Sequence, residues 1–214
     1  MKPLNKYALL QTARPPAVYK WVLHDALYRM ETNQKTVYLT FDDGPTPGVS
    51  DLALDLLKTY QAKASFFCLG KNVEAFPELF QRMLNEGHSV GNHSYSHPDG
   101  WKTPNKDYFH DVAQAEKVIN SGLFRPPYGK LSPFQYLQLK KRFRVVLWDT
   151  LSLDYDQNLE PEFCWDIVRK NTRNGSIVVF HDSLKAAPRM LPVLEKTLNW
   201  LSKEGYRMQA IPMK

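Results

Sequence analysis

Cysteine is nearly absent from this sequence: two residues, Cys68 and Cys164, in 214. Two cysteines build no disulfide framework, and the pair forms no Cys-x-x-Cys unit, so a cysteine-rich zinc module is excluded. No apolar run reaches the length of about 20 residues that spans a bilayer as a helix. Within residues 1–14 the only apolar run is Tyr7-Ala-Leu-Leu10, shorter than the core of a secretory signal. This predicts a cytoplasmic protein, with an envelope or secreted location as the alternative. Internal repeats and linker-like stretches are also missing. A net charge of +6 leaves room for an anionic partner, but the basic residues are dispersed, apart from Lys140-Lys141-Arg142 with Arg144, and no nucleic-acid motif is present. Nucleic acid is therefore not an expected partner. With 43% hydrophobic and 23% charged residues, disorder is excluded as well.

What is present is an alternation of apolar β-branched runs and helical patterns. Residues 36–41, 64–69, 88–91, 123–124, 144–148, 177–180 and 207–211 read as seven strands. Between them, helices are expected from Ser50 as cap, over 74–86, 105–120, 132–142, 160–172 and 187–203. Val18, Trp21, Val22 and Ala26 at helical spacing predict an amphipathic helix over 17–30, packed on the domain. Strand–helix alternation of this kind predicts an α/β parallel barrel or sheet, whose active site lies past the C-terminal strand ends.

The residues at those ends are polar in a legible order. Asp42 and Asp43 follow the first strand, and adjacent carboxylates after a buried strand are costly without a positive partner. His93 and His97 follow the third. At spacing i, i+4 they share one face of a helical turn and can grip one cation. A histidine pair alone reads as an ordinary loop; with a carboxylate at a neighbouring strand end it becomes a three-ligand set with a position left for water. Arg125 follows the fourth strand, Asp149 and Asp154 the fifth, and His181-Asp182 the sixth. Arg125 is placed to neutralise the second carboxylate. His24, His88 and His110 are expected to be structural or exposed.

Five stretches in this order resemble the polysaccharide deacetylase family, the carbohydrate esterases that share the nodulation-type chitooligosaccharide deacetylase domain. They are Thr40-Phe-Asp-Asp-Gly-Pro45, His93-Ser-Tyr-Ser-His97, Arg125-Pro-Pro-Tyr128, Trp148 through Asp154-Tyr155, and Val179-Phe-His181. The resemblance implies a distorted (β/α)7-type barrel in a single domain over residues 35–214, preceded by an N-terminal segment over 1–34. It implies removal of acetyl groups from N- or O-acetylated carbohydrate, with one divalent metal held by Asp43, His93 and His97. The metal would be zinc first, with cobalt, nickel or manganese as alternatives. It further implies Asp42 as general base and Arg125 as its partner. A backbone N–H near Tyr128 would face the oxyanion, and His181 would be the general acid with Asp154 behind it. Val179, Trp148 and Pro126 would line the substrate pocket. An acetylated glycan is the expected partner, and nothing in the sequence sets an oligomeric state. The fourth stretch departs from the family pattern: Leu151 stands where an aspartate is usual and Tyr155 where a tryptophan is. Asp149 receives no role, and Asp182 reads as a helix-start or turn carboxylate. Hydrolysis of another amide bond, and a non-catalytic glycan-binding relative, are the rival readings.

Overall fold

The computed structural model describes residues 13–213. Its centre is β1 (Thr36–Asp42), seven residues buried without exception. A strand buried on both faces is mostly apolar rather than alternating, and this one lies in a wholly parallel sheet with its Thr40 and Asp42 side chains hydrogen-bonded. Around it stand β2 (Ala64–Cys68), β3 (Ser89–Asn92), β4 (Leu123–Phe124), β5 (Arg144–Val145), β6 (Thr150–Leu151), β7 (Ile177–His181) and β8 (Arg207–Met208). The order is β5-β4-β3-β2-β1-β7-β6, with β8 also pairing with β1. Phe41 stacks on Phe66 of β2 and on Phe180 of β7, with ring centroids 4.9 and 5.7 Å apart, so three adjacent strands share one aromatic core.

The fifth strand is shorter than the expected 144–148, and an unexpected strand follows it. The former, β5, pairs with β4, while Thr150 and Leu151 pair with Val178 and Val179 of β7. The two edges of the sheet are thus consecutive pieces of one extended segment, which curls the sheet into a distorted barrel. Leu27 fills the seam between them: its N–H donates to the Val145 carbonyl and its own carbonyl accepts from Leu147, both at 2.8 Å.

That pairing corrects the expected helix over 17–30. The first helix, α1, spans only Ala17–Val22. Val18 and Trp21 face solvent, and the buried residues are Leu23 and Ala26 beyond it. A short helix gains one hydrogen bond per added residue, and the seam offers Leu27 two bonds with burial.

Helices α2 (Ser50–Thr59), α3 (Gly70–Ala75), α4 (Pro77–Asn85), α5 (Asn105–Ile119), α6 (Pro133–Leu139), α7 (Pro161–Asn171) and α8 (Ala187–Lys203) cover the barrel. The single helix expected over 74–86 is two, because Pro77 pushes Phe76 out of helical conformation, to φ −134° and ψ 58°. Ser132 caps α6 in a reciprocal capping box with Gln135. In α8, Met190, Val193, Leu194, Thr197, Leu198 and Leu201 are buried at helical spacing and form the stripe that meets the sheet. No helix among the described residues is long and apolar enough to cross a membrane. Within the basic cluster, Lys140 pairs with Asp25 and Arg142 with Glu116, so charge there is partly neutralised.

Candidate active site and metal centre

Parallel strands bring their last residues to one end of the barrel. Asp42 and His181 are register partners at the ends of β1 and β7. Asp42 is 5% exposed and Arg125 fully buried. The Arg125 guanidinium donates to Asp42 Oδ1 at 2.6 Å and to Thr40 Oγ1 at 2.8 Å. Its remaining N–H groups reach the carbonyls of Val146 and Leu147, and its plane lies over the Phe67 ring at 4.1 Å. Burial raises the cost of ionising Asp42, but Arg125, then His93 and His181, outweigh it and hold the carboxyl below the usual carboxylate range.

Asp43 turns away from Asp42 because its backbone adopts φ +87°. The Asn72 side chain holds it there, donating to the Asp43 carbonyl at 2.7 Å. Its Oδ1 lies 3.4 Å from His97 Nε2 and 3.8 Å from His93 Nε2, and one donor atom from each of the three residues falls within 4.8 Å of the others. His93 Nδ1 is 2.7 Å from the Arg125 carbonyl oxygen. A carbonyl only accepts, so Nδ1 carries a proton and Nε2 is the ring nitrogen turned toward Asp43. Burial, aided by His93, lowers the His97 pKa to about 4, which keeps that ring neutral. One carboxylate oxygen and two imidazole nitrogens converging on a point fit a divalent cation.

The spacing of His93 and His97 works by a different route from the one expected. Residues 93–97 are a loop, with Ser94 at φ +69° and His97 at φ +68°. Asn92 accepts the Ser94 N–H at 2.7 Å, and Asp111 on α5 accepts those of Tyr95 and Ser96. Left-handed conformation costs a residue other than glycine about 1–3 kcal/mol, and here it recurs at Asp43, Ser94, His97 and Tyr128. Such strain concentrates where a site demands side-chain directions that regular structure does not supply.

Across the cavity, Asp154 accepts from His181 twice, from Nδ1 at 2.7 Å and from the backbone N–H at 2.9 Å. Burial disfavours the imidazolium, yet Asp154, followed by Asp43 and Asp42, overrides it and lifts the His181 pKa to about 9. Tyr155 packs edge-on against the His181 ring at 5.0 Å. Pro126, Tyr128, Trp148, Leu151 and Val179 complete a cavity of about 540 Å³ with the metal-site residues, Asp42 and His181. Arg125 and Asp154 stand buried behind this wall. Every site residue singled out in the sequence therefore converges here. Asp149 does not: its N–H pairs with Ile177, at the opposite end of β7, and Arg173 clamps its carboxylate with two bonds of 2.8 and 2.9 Å.

Sequence reasoning missed the residues behind the site. Ser50 does not cap α2 with its side chain; it hydrogen-bonds the buried Asp182 carboxylate and accepts the Thr46 N–H. Asp182 Oδ1 in turn accepts the Gly44 N–H at 3.0 Å, so this trio fastens the turn that follows Asp43. A Cβ at position 44 would meet Asp182 Oδ2 at 2.0 Å, which is why glycine follows the two aspartates. Arg189 on α8 donates to the Asp154 carbonyl at 2.7 Å. No local pattern announced Asn72, Ser50 or Arg189, since their partners lie far away in the chain.

A parallel barrel with a carboxylate–imidazole ligand set, a buried carboxylate–arginine pair and a carboxylate–histidine pair at one mouth has the parts of a metal-assisted hydrolase. Comparison with known proteins makes the class specific. Residues 29–143 match the family described as polysaccharide deacetylase. The chain is 32% identical over 191 residues to a peptidoglycan-N-acetylglucosamine deacetylase of Bacillus cereus, covering 86% of this chain and 90% of that one. It is 31% identical over 203 residues to the peptidoglycan-N-acetylmuramic acid deacetylase PdaA of Bacillus subtilis, covering 88% and 74%. The crystal structure of the Bc1960 peptidoglycan N-acetylglucosamine deacetylase superposes with a TM-score of 0.84 at 30% identity, over 92% of this chain and 95% of that one. This chain belongs to the polysaccharide deacetylase family.

Proposed function

We propose that this chain hydrolyses the N-acetyl groups of a peptidoglycan-type glycan, releasing acetate and leaving a free amine on the sugar. The observation that carries the reading is the convergence of Asp43, His93 and His97 beside Asp42, an ionised carboxylate with no metal duty of its own. A bound divalent ion, zinc first for two nitrogens and a carboxylate, would lower the pKa of its water and polarise the acetyl carbonyl. Asp42 then takes the proton of the attacking water on a carboxylate oxygen. Arg125 keeps that carboxylate ionised and fixes its orientation. A backbone N–H near Tyr128 would face the oxygen on which negative charge develops. His181, protonated and held by Asp154 through Nδ1, gives its Nε2 proton to the departing amine. Asp42 is thus held ionised and His181 protonated, the states in which a base and an acid begin. Val179, Trp148 and Pro126 receive the acetyl methyl, and Leu151 extends that apolar wall. A non-catalytic relative would lack the base or a ligand, and none is lacking here.

Acetate release from a panel of acetylated glycans, with and without chelator, tests the reading. Release that a chelator leaves untouched, or none from any glycan, refutes it. Peptidoglycan as substrate favours the envelope location over the cytoplasmic one; the stretch that prompted the cytoplasmic expectation lies mostly outside the described residues. Fractionation of cells carrying the whole gene decides between the two.

A further inference from the structure

We propose that Trp101, with Lys130 and Tyr19, forms a saccharide-stacking platform that continues the catalytic cavity and binds sugar units of the same chain beyond the one being deacetylated. The proposal rests on the reading of the substrate as a glycan.

Trp101 is 58% exposed, yet it is held in place. Its indole N–H donates to the Leu131 carbonyl at 3.2 Å, and its backbone N–H donates to Asp99 Oδ1 at 3.0 Å. The other oxygen of Asp99 binds Lys130 Nζ at 2.7 Å. That ammonium lies 5.3 Å from the centroid of the Trp101 ring and equally 5.3 Å from that of Tyr128. Tyr128 is a wall of the catalytic cavity, so one charge bridges the catalytic aromatic and an aromatic outside it. Gly100 keeps the two loops together: a Cβ there would meet the Lys130 carbonyl oxygen at 2.3 Å.

Beyond Trp101 runs a groove of about 630 Å³, lined by Tyr19, Leu23, Gly100, Leu131 and Pro133. The Tyr19 ring lies 6.3 Å from that of Trp101. One stretch of chain borders both, since residues 128–130 line the catalytic cavity and residues 131–133 the groove. Exposed rings fixed by hydrogen bonds lose little freedom on binding, which favours a ligand over chance exposure. Pyranose rings present apolar C–H faces to such rings and hydroxyls to the ammonium and carboxylate at their edge. Adjacency to the site where an acetylated sugar reacts, through Lys130 beside both Trp101 and Tyr128, points to the same chain as the occupant, rather than to a peptide or a second copy.

The test compares acetate release from the di- and pentasaccharide of N-acetylglucosamine by the wild-type, Trp101→Ala and Trp101→Phe proteins. Trp101→Ala should raise KM for the pentasaccharide about tenfold, the worth of one aromatic stacking partner, and leave kcat and the disaccharide constants unchanged. Trp101→Phe should recover most of the loss. Calorimetry of the pentasaccharide with Asp42→Asn protein, with and without Trp101→Ala, reads the same difference in Kd without turnover. Equal effects on both substrates, no effect on either, or no pentasaccharide binding would overturn the platform. So would sedimentation as a dimer that Trp101→Ala dissociates. If the wild-type protein releases no acetate while pentasaccharide binding still depends on Trp101, the hydrolytic reading falls and the platform stands.

Discussion

The ring of His93 and the main chain of Arg125 are joined by a 2.7 Å hydrogen bond from Nδ1–H to the carbonyl oxygen, while the guanidinium of the same arginine grips Asp42. One residue therefore orients both a metal-facing imidazole and the proposed base. Backbone and side chain of Arg125 serve the two tasks separately, so substitutions of its side chain and of His93 should have different signatures.

Replacing His93 or Asp43 by alanine should abolish or sharply weaken binding of a divalent ion, and a chelator should do the same to acetate release by the unaltered protein. Metal analysis of purified variants checks this. Full metal content after either replacement refutes the ligand assignment.

Asp42→Asn should keep its metal and lose on the order of 10²–10⁴ in rate. Arg125→Met should also lower stability, by about 3–5 kcal/mol, since it leaves the Asp42 carboxylate buried without its partner. Urea unfolding of the two variants separates these effects: Asp42→Asn should unfold closer to the wild type than Arg125→Met.

His181→Ala and Asp154→Asn should each slow amide hydrolysis on the order of 10²–10⁴-fold and matter much less for an activated aryl acetate, whose leaving group needs no proton. Rates on the two substrates, measured side by side, decide the matter. Losses of equal size on both would make His181 a binding residue instead of the acid.

His88 offers a pH test of stability away from the metal site. It is 4% exposed, and its Nδ1 accepts the Ala64 N–H, so the folded state needs the ring neutral. Burial, then Lys63, lowers its pKa to about 4, against about 6.5 for an unfolded histidine. Between those values the unfolded chain binds the extra proton, so stability falls as pH drops from about 6.5 toward 4, by up to about 1.4 kcal/mol per pH unit. His88→Gln should flatten this part of the stability curve in urea titrations across that range, whatever it does to stability at neutral pH.

Asp182→Ala strands the Gly44 N–H and the Ser50 hydroxyl and should cost about 1–3 kcal/mol, whereas Asp182→Asn keeps an acceptor for Gly44 and should cost less. Gly44→Ala should be worse than either, because the new methyl falls on the carboxylate. Denaturation midpoints of the three variants give the order directly.

The apolar runs and the polar residues that follow them were enough to establish the alternation of strands and helices, a parallel α/β barrel or sheet, and the set of residues past its strand ends, while the family resemblance chose the barrel. That is because buried parallel strands are mostly apolar, and their C-terminal ends are where such a fold presents chemistry. Helix α8 was legible to the residue, because its stripe and its bounding residues agree. The tertiary structure decided what depends on distant partners. Leu27 leaves a helical pattern to close a seam against Val145 and Leu147, and residues 144–151 divide between two sheet edges. His93 and His97 meet Asp43 through left-handed backbone that Asn92, Asp111 and Asn72 stabilise from outside the motif. Asp149 and Asp154 are both aspartates five residues apart, yet one is clamped at the barrel's far end and the other holds His181. Charge and spacing cannot separate two such residues, since the strand register against β7 sets which end of the barrel each one reaches.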